Sequence, residues 1–202
     1  MLVHAVHALA ASGSVDLVVV AAPADNVDEV AGLFTELEFG ADILVVAGGE
    51  ERQDSVARAL LSLPDDVDVV LVHDAARPLV PTELVTAVVA CVRDGHPAVV
   101  PGLTVVDTVK EVDDRDEVVA TVDRAVLRAV QTPQGFTREA LQRSHAEADL
   151  NAPATDDAGL AERLGIPVTV IAGHEEAFKV TRPLDVLLAE AVLARRRSVS
   201  GL

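Results

Sequence analysis

An acid and a guanidinium stand together at the end of an apolar run, Val67-Asp68-Val69-Val70-Leu71-Val72-His73-Asp74-Ala75-Ala76-Arg77-Pro78. Asp74 is an anion suited to a hard metal cation or a ribose hydroxyl, and Arg77 carries a planar fork suited to phosphate. The apolar run before them reads as a buried parallel strand, and ligands of open α/β sheets sit just beyond the carboxyl ends of such strands. The pair therefore points to a phosphorylated, metal-bound ligand. His73 is placed to orient Asp74.

Other residues offer compatible chemistry. Gly48-Gly49-Glu50-Glu51-Arg52-Gln53-Asp54-Ser55 falls at a strand-to-helix turn, where glycines let a ligand approach backbone N–H groups and Ser55 adds a hydroxyl. Alone, such a turn is ordinarily only a turn. In Thr121-Val122-Asp123-Arg124 a cation stands at the root of a predicted β-arm, where it could reach a phosphate or simply pair with Asp123. Gln131-Thr132-Pro133-Gln134 follows, and Ala154-Thr155-Asp156-Asp157 opens a helix, which plain N-capping by Thr155 or Asp156 would explain. Lys179 stands in the apolar Ala177-Phe178-Lys179-Val180-Thr181, and buried lysines are uncommon unless paired.

Strand-like and helix-like segments alternate in a way that would position these groups. Helices are expected over Leu2–Ala11 (ended by Gly13), Asp25–Phe39, Gln53–Ser62, Pro81–Arg93, Arg138–Asp149, Asp156–Leu164 and from Pro183 onward. Strands are expected over Val15–Ala22, Asp42–Ala47, Val67–His73, Ala98–Pro101, Val168–Ile171 and Phe178–Thr181. This is the rhythm of βαβ units around a mostly parallel sheet. From about Thr104 to Asp123 it changes. Val106, Thr108, Lys110 and Val112 alternate with their neighbours, Val118–Val122 is β-branched, and Asp113-Asp114-Arg115-Asp116 lies between, as at a hairpin tip. Such an arm serves either as a dimerisation device or as a solvent-exposed loop. Arg195-Arg196-Arg197 is accounted for by the helix dipole and solvation.

Composition narrows the partners. A net charge of −17 leaves no basic patch for nucleic acid. The core must be built from Val, Leu and Ala, because aromatic residues make up 2% of the chain. Lysine occurs only at Lys110 and Lys179. The single Cys91 rules out a disulfide framework within the chain and points to a reduced, cytoplasmic setting. No apolar run approaches the ~20 residues of a membrane span, and no signal peptide is recognisable. A single domain over residues 1–202 is expected.

In order, the series G-G-x-x-R-x-D-S, V-H-D-A-A-R-P, D-T-V-K, T-V-D-R, Q-T-P-Q-x-F, T-D-D and F-K-V-T-R-P resembles the 2-C-methyl-D-erythritol 4-phosphate cytidylyltransferases, from Met1 to about Ala194. The resemblance implies a Rossmann-like nucleotidyltransferase of the glycosyltransferase-A type with an inserted β-hairpin arm. It implies a reaction in which CTP and methylerythritol phosphate give a CDP-alcohol and pyrophosphate, aided by Mg²⁺ or another divalent cation, in non-mevalonate isoprenoid biosynthesis. By matching position, Gly49 and Ser55 are implied as cytosine contacts, Asp74 with its neighbour Ala75 by the ribose, and Asp74 by the metal. Arg77, Thr108, Arg124 and Lys179 are implied as holding the methylerythritol phosphate, Arg124 and Lys179 as catalytic groups. In the family the threonine and arginine of the arm act in the neighbouring subunit's pocket, so a homodimer is implied.

The family pattern also includes a first strand and a basic loop of the form A-A-G-x-G-x-R, followed by P-K, which the sequence lacks: Met1 aligns where the family enters its first long helix. Unpaired strand edges, a gap in the core and weakened catalysis are therefore expected, with the segment encoded in frame upstream. Two further readings stand beside this one, a ribitol-5-phosphate cytidylyltransferase and a non-catalytic CTP-binding or dimerising module.

Overall fold

In chain order the elements of the computed structural model are α1 (Leu2–Ala10), β1 (Leu17–Ala22), α2 (Val27–Gly32), β2 (Asp42–Ala47), α3 (Arg52–Leu60), β3 (Val69–Val72), α4 (Thr82–Arg93), β4 (Ala98–Thr104), β5 (Val109–Val112), β6 (Val118–Val122), β7 (Arg128–Val130), β8 (Gln134–Thr137), α5 (Arg138–Ala146), α6 (Asp157–Arg163), β9 (Val168–Ala172) and α7 (Pro183–Val199). Residues 1–147 and 154–199 are described. Each boundary has a local cause. Gly13, at φ +65°, lets the chain leave α1 in a left-handed turn. Thr137 caps α5 through Ala140 N–H, and Asp156 caps α6 through Gly159 N–H at 2.9 Å.

β4 organises the larger sheet. It runs parallel to β9 on one side and antiparallel to β8 and β7 on the other, and β8 carries β3 beyond it, again antiparallel. The α/β architecture is the expected one. Its pairing is more mixed than mostly parallel, because β7 and β8, unforeseen in the sequence, return antiparallel to β4. Ala98, Val99 and Phe136 are fully enclosed between α4 on one face and α5 and α6 on the other.

β1 and β2 form a separate parallel pair. Between β1 and β3 lies a cavity of about 780 Å³, walled by Leu17, Val19, Val69 and Leu71 and closed by α1 and α3 residues such as Leu9 and Val56. Among the described residues neither strand has a partner on that side, so two edges face each other across the gap. The unpaired edges and the core gap expected above are both present. For the same reason β3, expected as a buried parallel strand over Val67–His73, is short, half-buried and paired antiparallel with β8 alone.

Three other expectations are revised. The helix expected over Asp25–Phe39 stops at Gly32, and the chain then turns so that Phe34 and Phe39 meet edge to face at 5.8 Å beside α1. Phe178–Thr181 is not a strand. It is an irregular segment after a 3₁₀ turn at Glu175–Ala177, tied to the Asp74 loop by Val180 N–H donating to Ala76 C=O at 2.7 Å. Arg195 and Arg196 are not merely solvated, since both pair with Glu176, and Arg196 also donates to the Leu79 carbonyl at 2.7 Å. Residues 148–149 of the helix expected over Arg138–Asp149 lie outside the described residues. The arm is a hairpin as expected, β5 pairing antiparallel with β6 and Asp116 at φ 60° in its tip.

Candidate functional site

The loop after β3 is held from behind. His73 Nε2 lies 3.0 Å from the Arg77 carbonyl, which only accepts, so that nitrogen carries the proton. Nδ1 then accepts from the Thr132 hydroxyl at 2.9 Å, and Thr132 Oγ1 accepts from Asp74 N–H at 3.1 Å. Burial holds the His73 imidazole neutral, its pKa pushed down to about 4. His73 thus fixes Asp74 through Thr132 and the loop backbone.

Asp74 faces three cations. Lys179 Nζ is 3.1 Å from Oδ2, Arg52 Nε 3.4 Å from Oδ1 and Arg77 Nε 3.8 Å from Oδ2. Burial alone would raise the Asp74 pKa, but Lys179, then Arg52 and Arg77, outweigh it and hold the group ionised below the usual carboxylate range. Arg77 donates to the carbonyls of Ala177 at 2.7 Å and Val130 at 3.4 Å, which locks its guanidinium beside the Lys179 segment. Lys179 is not buried as its apolar neighbours predict: its side chain is 48% exposed and its ammonium is available to an incoming anion.

The Gly48-Gly49 turn lies at the other lip. Ser55 Oγ accepts from Gly49 N–H at 3.0 Å and donates to the Glu51 carbonyl at 3.1 Å. A Cβ at Gly49 would stand 2.2 Å from that of Asp54, so only glycine fits. Arg52, Ser55, Asp74 and Ala75 all border the cavity between β1 and β3, which extends along the strands to their carboxyl ends.

Asp74, Ala75, Arg77 and Lys179 are therefore brought together, with Gly49 and Ser55 on the facing turn. Thr108 and Arg124 are not joined to them by any hydrogen bond or ion pair among the described residues. Both are exposed on the arm, where Arg124 donates to the Val106 carbonyl rather than pairing with Asp123, whose carboxylate caps Ala125 N–H. The arm and its root also expose Val106, Val112, Val118, Val119 and Val126.

Three residues escaped selection in the sequence. Thr132 sits in Q-T-P-Q, and its place beneath Asp74 follows from β8 pairing with β3. Arg52 is the arginine of G-G-x-x-R, and its fork joins Asp74 to Asp157, whose carboxylate lies 2.7 Å from Arg52 Nη1 and 2.9 Å from His145 Nε2. Asp157 is the second acid of T-D-D, and it is 1% exposed.

Of the residues gathered at the site, Asp74 offers a carboxylate to a divalent cation. Among the described residues no group of three or more His, Cys, Asp or Glu side chains is arranged to hold a metal ion. The donor set fits Mg²⁺ that draws most of its oxygen ligands from nucleotide phosphates and water, and does not fit an all-protein cage. Among the described residues no helix is long and apolar enough to cross a membrane.

The profile of a family described as 2-C-methyl-D-erythritol 4-phosphate cytidylyltransferase matches residues 1–195. The protein of that name from Streptomyces avermitilis is 57% identical, over 100% of this chain and 83% of its own length. The one from Frankia casuarinae is 59% identical, over 96% of this chain and 71% of its own. The crystal structure of 4-diphosphocytidyl-2C-methyl-D-erythritol synthase from Anaerococcus prevotii superposes with a TM-score of 0.86 at 26% identity, covering 96% of this chain and 88% of that one.

Proposed function

Since the chain belongs to the 2-C-methyl-D-erythritol 4-phosphate cytidylyltransferase family, we propose that it joins CTP to 2-C-methyl-D-erythritol 4-phosphate at the lip formed by the Gly49 turn, Asp74 and Lys179. The chain is a nucleotidyltransferase of isoprenoid biosynthesis. In the reaction a phosphate-monoester oxygen attacks the α-phosphorus of CTP, and the bond to the departing pyrophosphate breaks. Catalysis of such a transfer rests on alignment and charge neutralisation rather than on covalent chemistry by the protein.

Each nominated residue has a part that its surroundings support. The Gly49 turn offers a close backbone approach to the cytosine, with Ser55 bracing it through Gly49 N–H. Asp74, ionised at neutral pH, serves the ribose with Ala75 beside it. Asp74 would hold a bound Mg²⁺, which would supply charge neutralisation at the phosphates. Lys179 and Arg77 receive the phosphate of the second substrate, Lys179 from a half-exposed position and Arg77 from a locked one. Thr108 and Arg124 complete that pocket in a second copy of the chain, the exposed valines of the arm forming the homodimer contact. The reading extends to a cytoplasmic enzyme.

The observation that carries the reading is the meeting of Lys179, Arg77 and Arg52 on the Asp74 carboxylate at the carboxyl end of the sheet. The test is pyrophosphate release from CTP and Mg²⁺ with either methylerythritol 4-phosphate or ribitol 5-phosphate. The expected result is turnover with methylerythritol phosphate. Preference for ribitol phosphate would replace the substrate, and calorimetric CTP binding with no turnover on either would replace the enzyme by a binding module.

A further inference from the structure

We infer that Arg52 is a positioning residue, which sets the orientation of the Asp74 carboxylate by bridging it to a buried anchor formed by Asp157 and His145. The inference rests on Asp74 belonging to the nucleotide site. One edge of the Arg52 guanidinium meets Asp74, with Nε 3.4 Å from Oδ1, and its end meets Asp157, with Nη1 2.7 Å from Oδ2. Asp157 is the first residue of α6, is 1% exposed, and accepts from His145 Nε2 on α5 at 2.9 Å. Three helices are thus pinned at one point behind the site: α3 through Arg52, α5 through His145 and α6 through Asp157.

The anchor is itself braced. Asp156, beside it, caps α6 and accepts from Gln134 Nε2 at 2.7 Å, while Gln134 Oε1 accepts from Ala158 N–H at 3.1 Å. Gln134 lies on β8 opposite Val72, one residue before the loop that carries Asp74. The backbone of that loop and the side chain of Asp74 are therefore referenced to the same rigid block, by Thr132 and Arg52 respectively.

Burying an ionised carboxylate is costly even when it is paired, and apolar substitutes often serve stability as well or better. A buried carboxylate whose partly exposed arginine partner also reaches a site carboxylate is thus better explained by geometry than by stability. Arginine is required because its fork serves two carboxylates at once, whereas an ammonium is a point charge.

The test separates position from folding. Arg52→Met leaves Asp157 buried with His145 alone and should lower Tm. Adding Asp157→Asn removes the stranded charge and should restore Tm to the wild-type value. If Arg52 positions Asp74, kcat/KM for pyrophosphate release remains at least about tenfold low in the double variant, with the loss mainly in kcat. Recovery of kcat/KM together with Tm would overturn the inference and leave the bridge a purely structural pair. Crystal structures of the wild-type and doubly substituted chain, without nucleotide, supply a readout independent of turnover. Asp74 should take more than one carboxylate orientation in the variant. An unchanged, single orientation would overturn the inference even if the wild-type chain released no pyrophosphate, a result that would count separately against the proposed function.

Discussion

The two halves of the sheet are built from the same kind of residues and end up differently closed. In the β3-β8-β4-β9 half every interior strand is paired on both sides, and Phe136, Ala98 and Val99 are fully enclosed. In the β1-β2 half, strands equally rich in valine stop at an open edge above a cavity of about 780 Å³. The difference lies in pairing rather than composition. Hydrophobic sequence is sufficient to form a strand, but a strand becomes core only when both of its edges are satisfied. The candidate site spans this seam, with Gly49 and Ser55 on the open half and Lys179 and Arg77 on the closed one.

Truncating the closed half should have the largest effect. Phe136→Ala is expected to destabilise the chain by about 3–5 kcal/mol, read from the shift in urea midpoint, because the enclosing layers cannot collapse onto the void. A loss near 1 kcal/mol would break the comparison by showing that this half too is loosely packed.

The seam should respond next, to acid. His73 is neutral when folded, with a pKa lowered to about 4 from the ordinary 6.5, so the unfolded chain binds more protons between those values. Its contribution is complete above pH 6.5 and is lost as pH falls towards 4, by on the order of 3 kcal/mol at ~1.4 kcal/mol per unit. Asp74 and Asp157, both lowered, add a loss of the same sign at still lower pH. Unfolding series in metal-free buffer from pH 7 to 4 should show this decline, and His73→Asn should flatten it. A wild-type stability independent of pH across that window would disprove the buried neutral imidazole.

The site cations come third. Lys179→Ala or Arg124→Ala should each lower kcat/KM by about 10- to 150-fold, the equivalent of a lost charge-assisted phosphate contact of roughly 1.5–3 kcal/mol, with Tm unchanged. Unaltered turnover in both would remove them from the mechanism.

The smallest effect is expected on the open half. Val19→Ala, whose side chain already borders the cavity, should cost about 1 kcal/mol, well below the cost of Phe136→Ala. An equal cost would mean that the gap closes in solution.

Much of this was legible in the residues. The alternation of apolar and polar runs located nearly every helix and strand, because burial of one face is a local property. β7 and β8 were not legible. Val130-Gln131-Thr132-Pro133-Gln134 has no period of two, and its strands exist only through β3 and β4. For the same reason Thr132 was not nominated, although its hydroxyl is what His73 and Asp74 share. The apolar neighbours of Lys179 predict burial, but it is half-exposed and lies at the site because the Val180 backbone clips its segment to the Asp74 loop. In the sequence Asp157 is only the residue after the capping candidates Thr155 and Asp156. Only the packing of α5, α6 and α3 reveals that Asp156 does the capping while Asp157 turns inward.

The scarcity of lysine has a practical consequence. Of the two ε-amines, one contacts Asp74 and the other, Lys110, donates to Thr121 on the arm at 2.6 Å. Among the residues of this sequence an acylating reagent therefore has one ε-amine target in the pocket and one on the hairpin. Peptide mass spectrometry of the labelled chain would report ligand occupancy and arm docking separately, from two modified peptides and without any engineered probe.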